Sequence, residues 1–338
     1  MKTYQVPQYG DISQMQWNEH PIPEPGAHEI VVKVAASGVN PVDIMIAHGD
    51  FKLLFPQKTP FTLGNEFAGT VSAVGSEVTR FAVGDEVFAR PSEKYMGTFA
   101  EFAVAHEDDV ALKPTNLTMV EAASIPLVML TAVQAFTEKA KVGPRSKVFI
   151  QGGTGGLGSI AIQVAKHLGA FVATTVSTPN VELAKEIGAD VVVDYRTENY
   201  ELALSEYDVV LDTLGGDETL RAMKVLAPGG TLVSVVGPPD TSLAEATGKP
   251  WLKPLMFAMS RKPRAAAKKL NVQYKFLLMH ADGAKLDEYR PVLESGEIRP
   301  VVGSVFVFED TDQALELAEA GKIKGQPKPK PGKIVVEM

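Results

Sequence analysis

The sequence predicts an α/β fold: a doubly wound parallel sheet domain accompanied by a mostly antiparallel β domain. Three observations predict it. Residues 1 to about 120 carry short β-rich runs broken by glycine and proline. From Lys147 onward, short apolar runs alternate with helical stretches, the pattern of parallel strands covered on both faces. The composition is globular, with 45 % hydrophobic and 22 % charged residues in 338, enough for two cores at roughly 100–200 residues per domain.

The β-rich part reads in order. Glu29 to Ala35 is a strand. Gly69 to Val74 alternates and ends at Gly75-Ser76. Val83-Gly84-Asp85 is a turn leading into Glu86-Val87-Phe88, and Phe99 to Val104 is a further strand. At Thr118 the character changes: a hydroxyl followed three residues later by Glu121 has capping-box spacing, so a helix follows, interrupted by Pro126. A second helical stretch covers about Leu130 to Ala140.

The alternation then starts. Strands are predicted at 148–150, 171–176, 191–193, 208–211 and 231–236. Helices are predicted at 159–168, 181–187 and 219–226. Residues 238–275 break the rhythm with a basic run, Lys253, Arg261, Lys262, Arg264, Lys268 and Lys269, which reads as a solvated helix face, with a subunit contact or an active-site wall as the other readings. Helices at 284–293 and 311–320 and strands at 304–308 and 333–337 complete the chain. The segment from Lys324 to Pro331 alternates lysine and proline and reads as an exposed loop.

Composition excludes several classes. The formal net charge is −8, so no general field draws the chain to nucleic acid or to an anionic membrane. There is no cysteine, which removes disulfides and thiolate metal sites. The N-terminal residues carry no apolar signal core, and the longest apolar stretch, Ile125 to Val133, is far below the roughly 20 residues that span a bilayer. The expectation is a cytoplasmic protein.

The chemistry-bearing motif is Gly153-Thr154-Gly155-Gly156-Leu157-Gly158. Gly153, Gly155 and Gly158 have the G-x-G-x-x-G spacing, with a strand before and a helix after, which is the Rossmann context. The first glycine permits the tight turn, the second lets the backbone approach a pyrophosphate, and the third allows helix to pack on strand. The helix N-terminus offers free N–H groups and partial positive charge to phosphates. A P-loop is excluded because Ser159, not lysine, follows Gly158.

The second strand settles which dinucleotide is expected. NAD sites carry an acid about 20 residues beyond the motif, bonded to the ribose 2′-hydroxyl. Here the strand end reads Val176-Ser177-Thr178-Pro179-Asn180, with hydroxyls and an amide in place of a carboxylate. This favours NADP. Tyr195 and Arg196, after the third strand, are candidates to approach the same place.

A β-rich first third followed by a central glycine turn resembles the medium-chain dehydrogenase/reductase superfamily along essentially the whole chain. The resemblance is carried by Gly38-Val39-Asn40-Pro41-Val42-Asp43, Leu63-Gly64-Asn65-Glu66-Phe67-Ala68-Gly69, Val83-Gly84-Asp85-Glu86-Val87, Gly97-Thr98-Phe99-Ala100-Glu101-Phe102 and Gly332-Lys333-Ile334-Val335-Val336. The zinc branch needs a cysteine where this chain has Val39 or Asn40, and a histidine where it has Asn65. The chain is therefore similar to the zinc-independent quinone oxidoreductase and enone or alkenal reductase branch, with no metal site.

The resemblance implies a Rossmann domain, residues 123–274, inserted in a GroES-like substrate domain of residues 1–122 plus 275–338, with the active site in the cleft between them. It implies NADPH-dependent hydride transfer to a quinone or to the β-carbon of an α,β-unsaturated carbonyl compound. It also implies a homodimer or homotetramer. Asn40 would lie beside nicotinamide and substrate, and Thr131 on the nicotinamide ribose side. Ser177, Thr178, Asn180 and Tyr195 would face the 2′-phosphate, and Val236, Gly237, Leu277 and Met279 would border the nicotinamide. Asp43 has two readings, catalytic or a turn and cap residue. The chain departs from the family in having Asn180 where a lysine is frequent, and no tyrosine or lysine at Met45 or Phe51; His48 has two readings, a proton donor or a surface loop histidine. Two alternatives stand beside this reading: a 2-enoyl thioester reductase anchored by Arg261 to Lys269, and a non-catalytic NADPH-binding structural or regulatory protein.

Overall fold

The computed structural model describes residues 1–321 and 330–338. The loop expected from Lys324 thus lies outside the described residues except at Lys330 and Pro331. The described residues form two compact units, Met1–Leu130 with His280–Met338, and Thr131–Met279. The divisions fall at 130 and 279, where the sequence reading put them at 122 and 274. The reason is local. The helix that begins at Thr118 packs on the β unit, and the Leu127 N–H donates to Glu66 at 2.8 Å, so this stretch belongs with the β-rich residues.

In chain order the first unit opens with β1 (Lys2–Val6), β2 (Gln16–Glu19), β3 (Glu29–Val39), α1 (Pro41–His48), β4 (Phe61–Thr62), β5 (Phe67–Val74), β6 (Glu86–Ala89), β7 (Phe102–His106) and β8 (Val110–Leu112). It continues through α2 (Met119–Ala123) and the start of α3 (Pro126–Val133), a helix whose last residues, from Thr131, belong to the second unit. The second unit holds β9 (Lys147–Ile150), α4 (Gly156–His167), β10 (Phe171–Val176), α5 (Val181–Glu186), β11 (Val191–Asp194), α6 (Tyr200–Ala203), β12 (Tyr207–Asp212), α7 (Gly216–Ala222), β13 (Leu226–Ser234), α8 (Thr241–Ala246), α9 (Lys253–Met259), α10 (Arg261–Leu270) and β14 (Gln273–Phe276). The chain then returns to the first unit with α11 (Gly283–Glu294), β15 (Val302–Val307), α12 (Thr311–Ala320) and β16 (Lys333–Glu337).

The first unit is a mostly antiparallel sheet in the order β15-β16-β3-β5-β6-β8, with β7 also paired to β3, plus a small β2-β1-β4 sheet. β3 runs past the predicted Ala35 to Val39 because its last residues pair with β16, Val39 opposite Ile334 and Ser37 opposite Val336. Two apolar clusters cover the faces, one around Ile30, Val32, Phe67 and Val87, the other around Tyr4, Leu63, Phe99 and Phe308. α2 starts where Thr118 predicted: its hydroxyl accepts from the Glu121 N–H at 3.2 Å, and Glu121 reaches back to the Thr118 N–H at 2.9 Å.

The second unit is a parallel sheet in the order β11-β10-β9-β12-β13-β14. Phe149, Val210, Leu232 and Tyr207 share one core cluster. Three local expectations need correction. The helix expected at Leu130–Ala140 starts at Pro126, where proline suits a first helical turn, and ends as a π-helical stretch Gln134–Lys139. The helix expected to Leu226 ends at Ala222, because Leu226 pairs with Tyr207 and opens β13. That strand in turn stops at Ser234, short of Val236. The basic run lies on α9 and α10, where Lys253 meets Glu245 at 2.5 Å, Lys262 meets Asp217 at 3.0 Å and Arg264 stacks 3.7 Å over Phe257. No helix of the described residues is long and apolar enough to cross a membrane.

Candidate functional site

The glycine turn joins β9 to α4. Gly152 takes φ +64°, and its N–H donates to Thr175 Oγ1 at 3.3 Å, while the Gly153 N–H donates to the Thr175 carbonyl at 3.1 Å. The turn is thereby tied to the neighbouring strand β10. A Cβ on Gly153 would stand 2.1 Å from Thr174 Oγ1, and one on Gly158 would stand 2.2 Å from the Gly152 carbonyl. These two glycines are required by the protein's own packing. Gly155 differs. It is exposed and caps α4, and a Cβ there would meet only the Gly152 carbonyl at 3.4 Å. The space in front of it is open at the N-terminal end of a 12-residue helix, where free N–H groups favour a phosphate. Gly156 and Leu157 form the first turn of that helix. The geometry fits a dinucleotide pyrophosphate.

The end of β10 is built next to this turn. Ser177 is buried and leads into a short 3-10 turn, Thr178–Asn180. The Asn180 amide donates to Thr154 Oγ1 at 3.1 Å and so links the two loops. Tyr195, after β11, is exposed, and its N–H donates to the Val176 carbonyl at 3.1 Å. The third strand therefore ends beside the second. This brings in a residue that the sequence reading did not count. Asp194 pairs with Val176 and receives the Arg196 N–H at 3.0 Å. The Thr178 hydroxyl holds its carboxyl below the usual range, with the Arg196 N–H adding to this. A carboxylate is thus present at this end of the sheet, and its hydrogen bonds go to the Arg196 N–H in its own loop and to Thr178 in the turn after β10. Only the pairing of β10 with β11 could reveal it, since 18 residues separate Asp194 from Val176.

The other strand ends are organised by a second unforeseen acid. Asp212, fully buried at the end of β12, accepts from Thr219 Oγ1 at 2.6 Å, Ser234 Oγ at 2.7 Å and the Gly215 N–H at 2.9 Å. Ser234 in turn accepts the Gly237 N–H at 2.8 Å. A Cβ on Gly237 would come 2.5 Å from the Tyr274 hydroxyl. Val236 is half-exposed beside Gly215. The Leu277 N–H donates to the Ser234 carbonyl at 2.9 Å, and Leu277 and Met279 are buried. Val236, Gly237 and Leu277 thus gather at the carboxyl ends of β13 and β14, the edge where ligands bind in open parallel sheets. Thr131 is buried in α3.

Asn40 and Asp43 belong to the first unit, at the start of α1. Both are buried, as are Asn65, Glu66 and Lys333. The Asn40 amide nitrogen donates to Glu66 Oε1 at 2.7 Å, and the Lys333 ammonium donates to Asn40 Oδ1. Lys333 Nζ also lies 2.6 Å from Glu66 Oε1. Asp43 accepts the Asn40 N–H at 2.7 Å and the Asn65 amide at 2.6 Å. The Asp43 side chain is fully buried and bonded to its own helix start, the contact of a capping box. Burial pushes its carboxyl up to about 7, against the pull of Asn65, the Asn40 N–H and Lys333, while Glu66 adds to the rise. His48 closes α1 with its ring 3.2 Å from Glu319. Glu66 and Lys333 stand in two of the motifs that carried the family resemblance, yet nothing in their spacing marks them as partners.

Asn40 and Asn65 stand at the motif positions compared above with the metal-bearing branch. Asn65 turns its amide toward Asp43, and an ammonium lies against Asn40. No group of three or more histidine, cysteine or acidic side chains among the described residues is arranged to hold an ion.

Comparison with known proteins agrees with this architecture. Residues 26–115 match the family described as alcohol dehydrogenase GroES-like domain, and residues 187–336 the family described as zinc-binding dehydrogenase. The 2-methylene-furan-3-one reductase of Solanum lycopersicum is 32 % identical over 340 residues, covering 96 % of this chain and 78 % of the relative. The chloroplastic NADPH-dependent alkenal/one oxidoreductase of Arabidopsis thaliana is 30 % identical with the same coverage. The solved quinone oxidoreductase of Coxiella burnetii superposes over 100 % of this chain and 99 % of its own, with a TM-score of 0.85 at 27 % identity. A GroES-like β unit, a six-stranded parallel unit with its glycine turn, and relatives matched along nearly the whole chain lead to one conclusion: the chain belongs to the quinone oxidoreductase branch of the medium-chain dehydrogenase/reductase superfamily, a group of NAD(P)-dependent oxidoreductases.

Proposed function

We propose that this protein is an NADPH-dependent reductase that transfers a hydride, without metal, to a quinone or to the β-carbon of an α,β-unsaturated carbonyl compound. The observation that carries the proposal is the glycine turn, where Gly153 and Gly158 are consumed by packing and Gly155 leaves open space before a helix N-terminus. The second unit is the cofactor domain in this reading and the first the substrate domain. Relatives named as a furanone reductase and an alkenal/one oxidoreductase support the substrate class.

Bound NADPH supplies the hydride. The α4 N-terminus and the Gly155 backbone hold the pyrophosphate. Ser177, Thr178, Asn180 and Tyr195 receive the 2′-phosphate, with the Arg196 side chain close in sequence. Val236, Gly237, Leu277 and Met279 shape the nicotinamide end, and Thr131 meets the ribose. Asn40 orients the acceptor. No acid of the site is needed for the last proton, because an enolate or quinol anion takes it from water; the protein supplies proximity, orientation and exclusion of bulk solvent. A cytoplasmic homo-oligomer completes the reading.

Steady-state assays test it. NADPH consumption with 2-alkenals or quinones is expected, with a lower KM for NADPH than for NADH. Absence of saturable NADPH binding by fluorescence titration would overturn the assignment.

A further inference from the structure

We infer that Lys333 and Glu66 are positioning residues that fix the flip of the Asn40 amide, so that Asn40 meets the acceptor's carbonyl oxygen as an N–H donor. The inference rests on the proposed reduction and deepens it, because it states which face of the Asn40 amide meets the acceptor and what fixes it.

A carboxamide has one accepting oxygen and one nitrogen with two hydrogens, and its two orientations are nearly isosteric. Here two independent neighbours choose between them. The Lys333 ammonium has only hydrogens to offer, so the Asn40 atom it faces must be Oδ1. Glu66 Oε1 only accepts when ionised, so the atom it faces, at 2.7 Å, must be Nδ2. The opposite flip would set N–H against ammonium and oxygen against carboxylate. The ion pair between Lys333 and Glu66, at 2.6 Å, closes the triangle. Glu66 is held from its other oxygen by the Leu127 N–H at 2.8 Å. Gly38 makes the room, since a Cβ there would come 2.3 Å from Glu66 Oε1.

The arrangement leaves Asn40 one capacity. Its oxygen is bound and one amide hydrogen is spent on Glu66. The second hydrogen has only the Gly38 carbonyl at 3.4 Å, well beyond the usual 2.9–3.0 Å. A cation on the amide oxygen also draws electron density from nitrogen and strengthens the remaining N–H as a donor, as in other hydrogen-bond chains. Such a donor gains strength as negative charge develops on the acceptor oxygen during hydride transfer. The fixed ammonium thereby acts on the oxyanion through one amide, at motif positions where the zinc branch uses a metal.

The test compares Lys333→Met, Lys333→Arg and Glu66→Gln in the full chain. Each is measured for thermal unfolding, NADPH affinity and steady-state turnover of a series of para-substituted aryl enones and of benzoquinone. For Lys333→Met the expected result is NADPH affinity within about twofold of wild type and kcat on enones lowered roughly a hundredfold, the scale seen when an oxyanion donor is lost. Turnover of benzoquinone, whose reduced anion is far less basic, should fall much less, and enone kcat should depend more steeply on the substituent. Lys333→Arg should restore most of the enone rate. If Lys333→Met does not fold, Glu66→Gln carries the test with a smaller but still enone-selective loss, because Lys333 still holds Oδ1 while the Nδ2 side loses its obligate acceptor. An unchanged kcat, or an equal fractional loss on every acceptor, would overturn the inference and leave the triangle a purely structural contact. A wild-type protein that binds NADPH but reduces no enone or quinone would instead overturn the functional reading, and this inference with it.

Discussion

Gly153 and Gly155 stand two positions apart in one turn and obey different constraints. Gly153 is pressed against Thr174 Oγ1, which itself donates to the Ile150 carbonyl at 2.7 Å. Gly153→Ala should cost about 1–3 kcal/mol, the usual price of overpacking a tight interior, read as a lower urea midpoint. Gly155→Ala should change stability by less than about 0.5 kcal/mol, yet weaken NADPH binding about tenfold or more, because its methyl group enters the space meant for phosphate; each tenfold is about 1.4 kcal/mol. The motif spacing made both glycines legible, but which one serves packing and which serves the ligand follows only from their neighbours. Asp43 gives a pH signature. Its folded-state value of about 7 lies above its ordinary 3.8. Between those limits the folded protein holds a proton that the unfolded chain has released, so this group's contribution to stability falls as pH rises from 4 toward 7. Asp43→Asn removes the titration. The stability difference between wild type and Asp43→Asn, from urea unfolding at pH 5 and pH 8, should therefore move against wild type at the higher pH; a constant difference would contradict the assignment.

Elements were legible where local chemistry and packing agree. α2 is the clearest, since its Thr118 and Glu121 bonds are local in sequence. Thr118→Ala should destabilise by about 1 kcal/mol, measured as a loss in chemical denaturation, while leaving NADPH affinity unchanged. β10 and α12 run between the predicted residues because their apolar runs are bounded by clear stops. β1 and β2 lie outside the strands that the sequence pattern predicts. β2 is largely exposed, so it carries no alternating apolar signal, and it exists because β1 pairs with it from Lys2 opposite Glu19 to Gln5 opposite Gln16. β3 outruns its sequence signal for the converse reason: Ser37 and Gly38 look like an end, yet Ser37 Oγ donates to the Glu66 carbonyl at 2.7 Å and the strand continues against β16.

At the scale of the whole molecule, cofactor and stability are linked. A ligand that binds only the folded chain adds RT ln(1 + [L]/Kd), about 2.7 kcal/mol at a hundredfold excess over Kd. NADPH should therefore raise the apparent melting temperature, and NADH at the same concentration should raise it less. Equal shifts would mean that the Ser177 to Asn180 turn does not select the 2′-phosphate.

The sequence by itself determined the fold class, the strand–helix rhythm from Lys147, the glycine turn, and the lack of any thiolate ligand, because each is written in periodicity, spacing or composition. Tertiary structure decided who meets whom. It set Asp194 beside Val176, gathered Thr219, Ser234 and Gly215 on Asp212, and closed Lys333 onto Asn40 across 293 residues. Spacing along a chain fixes local conformation, but buried polar groups take their partners from whichever strands the sheet order makes neighbours.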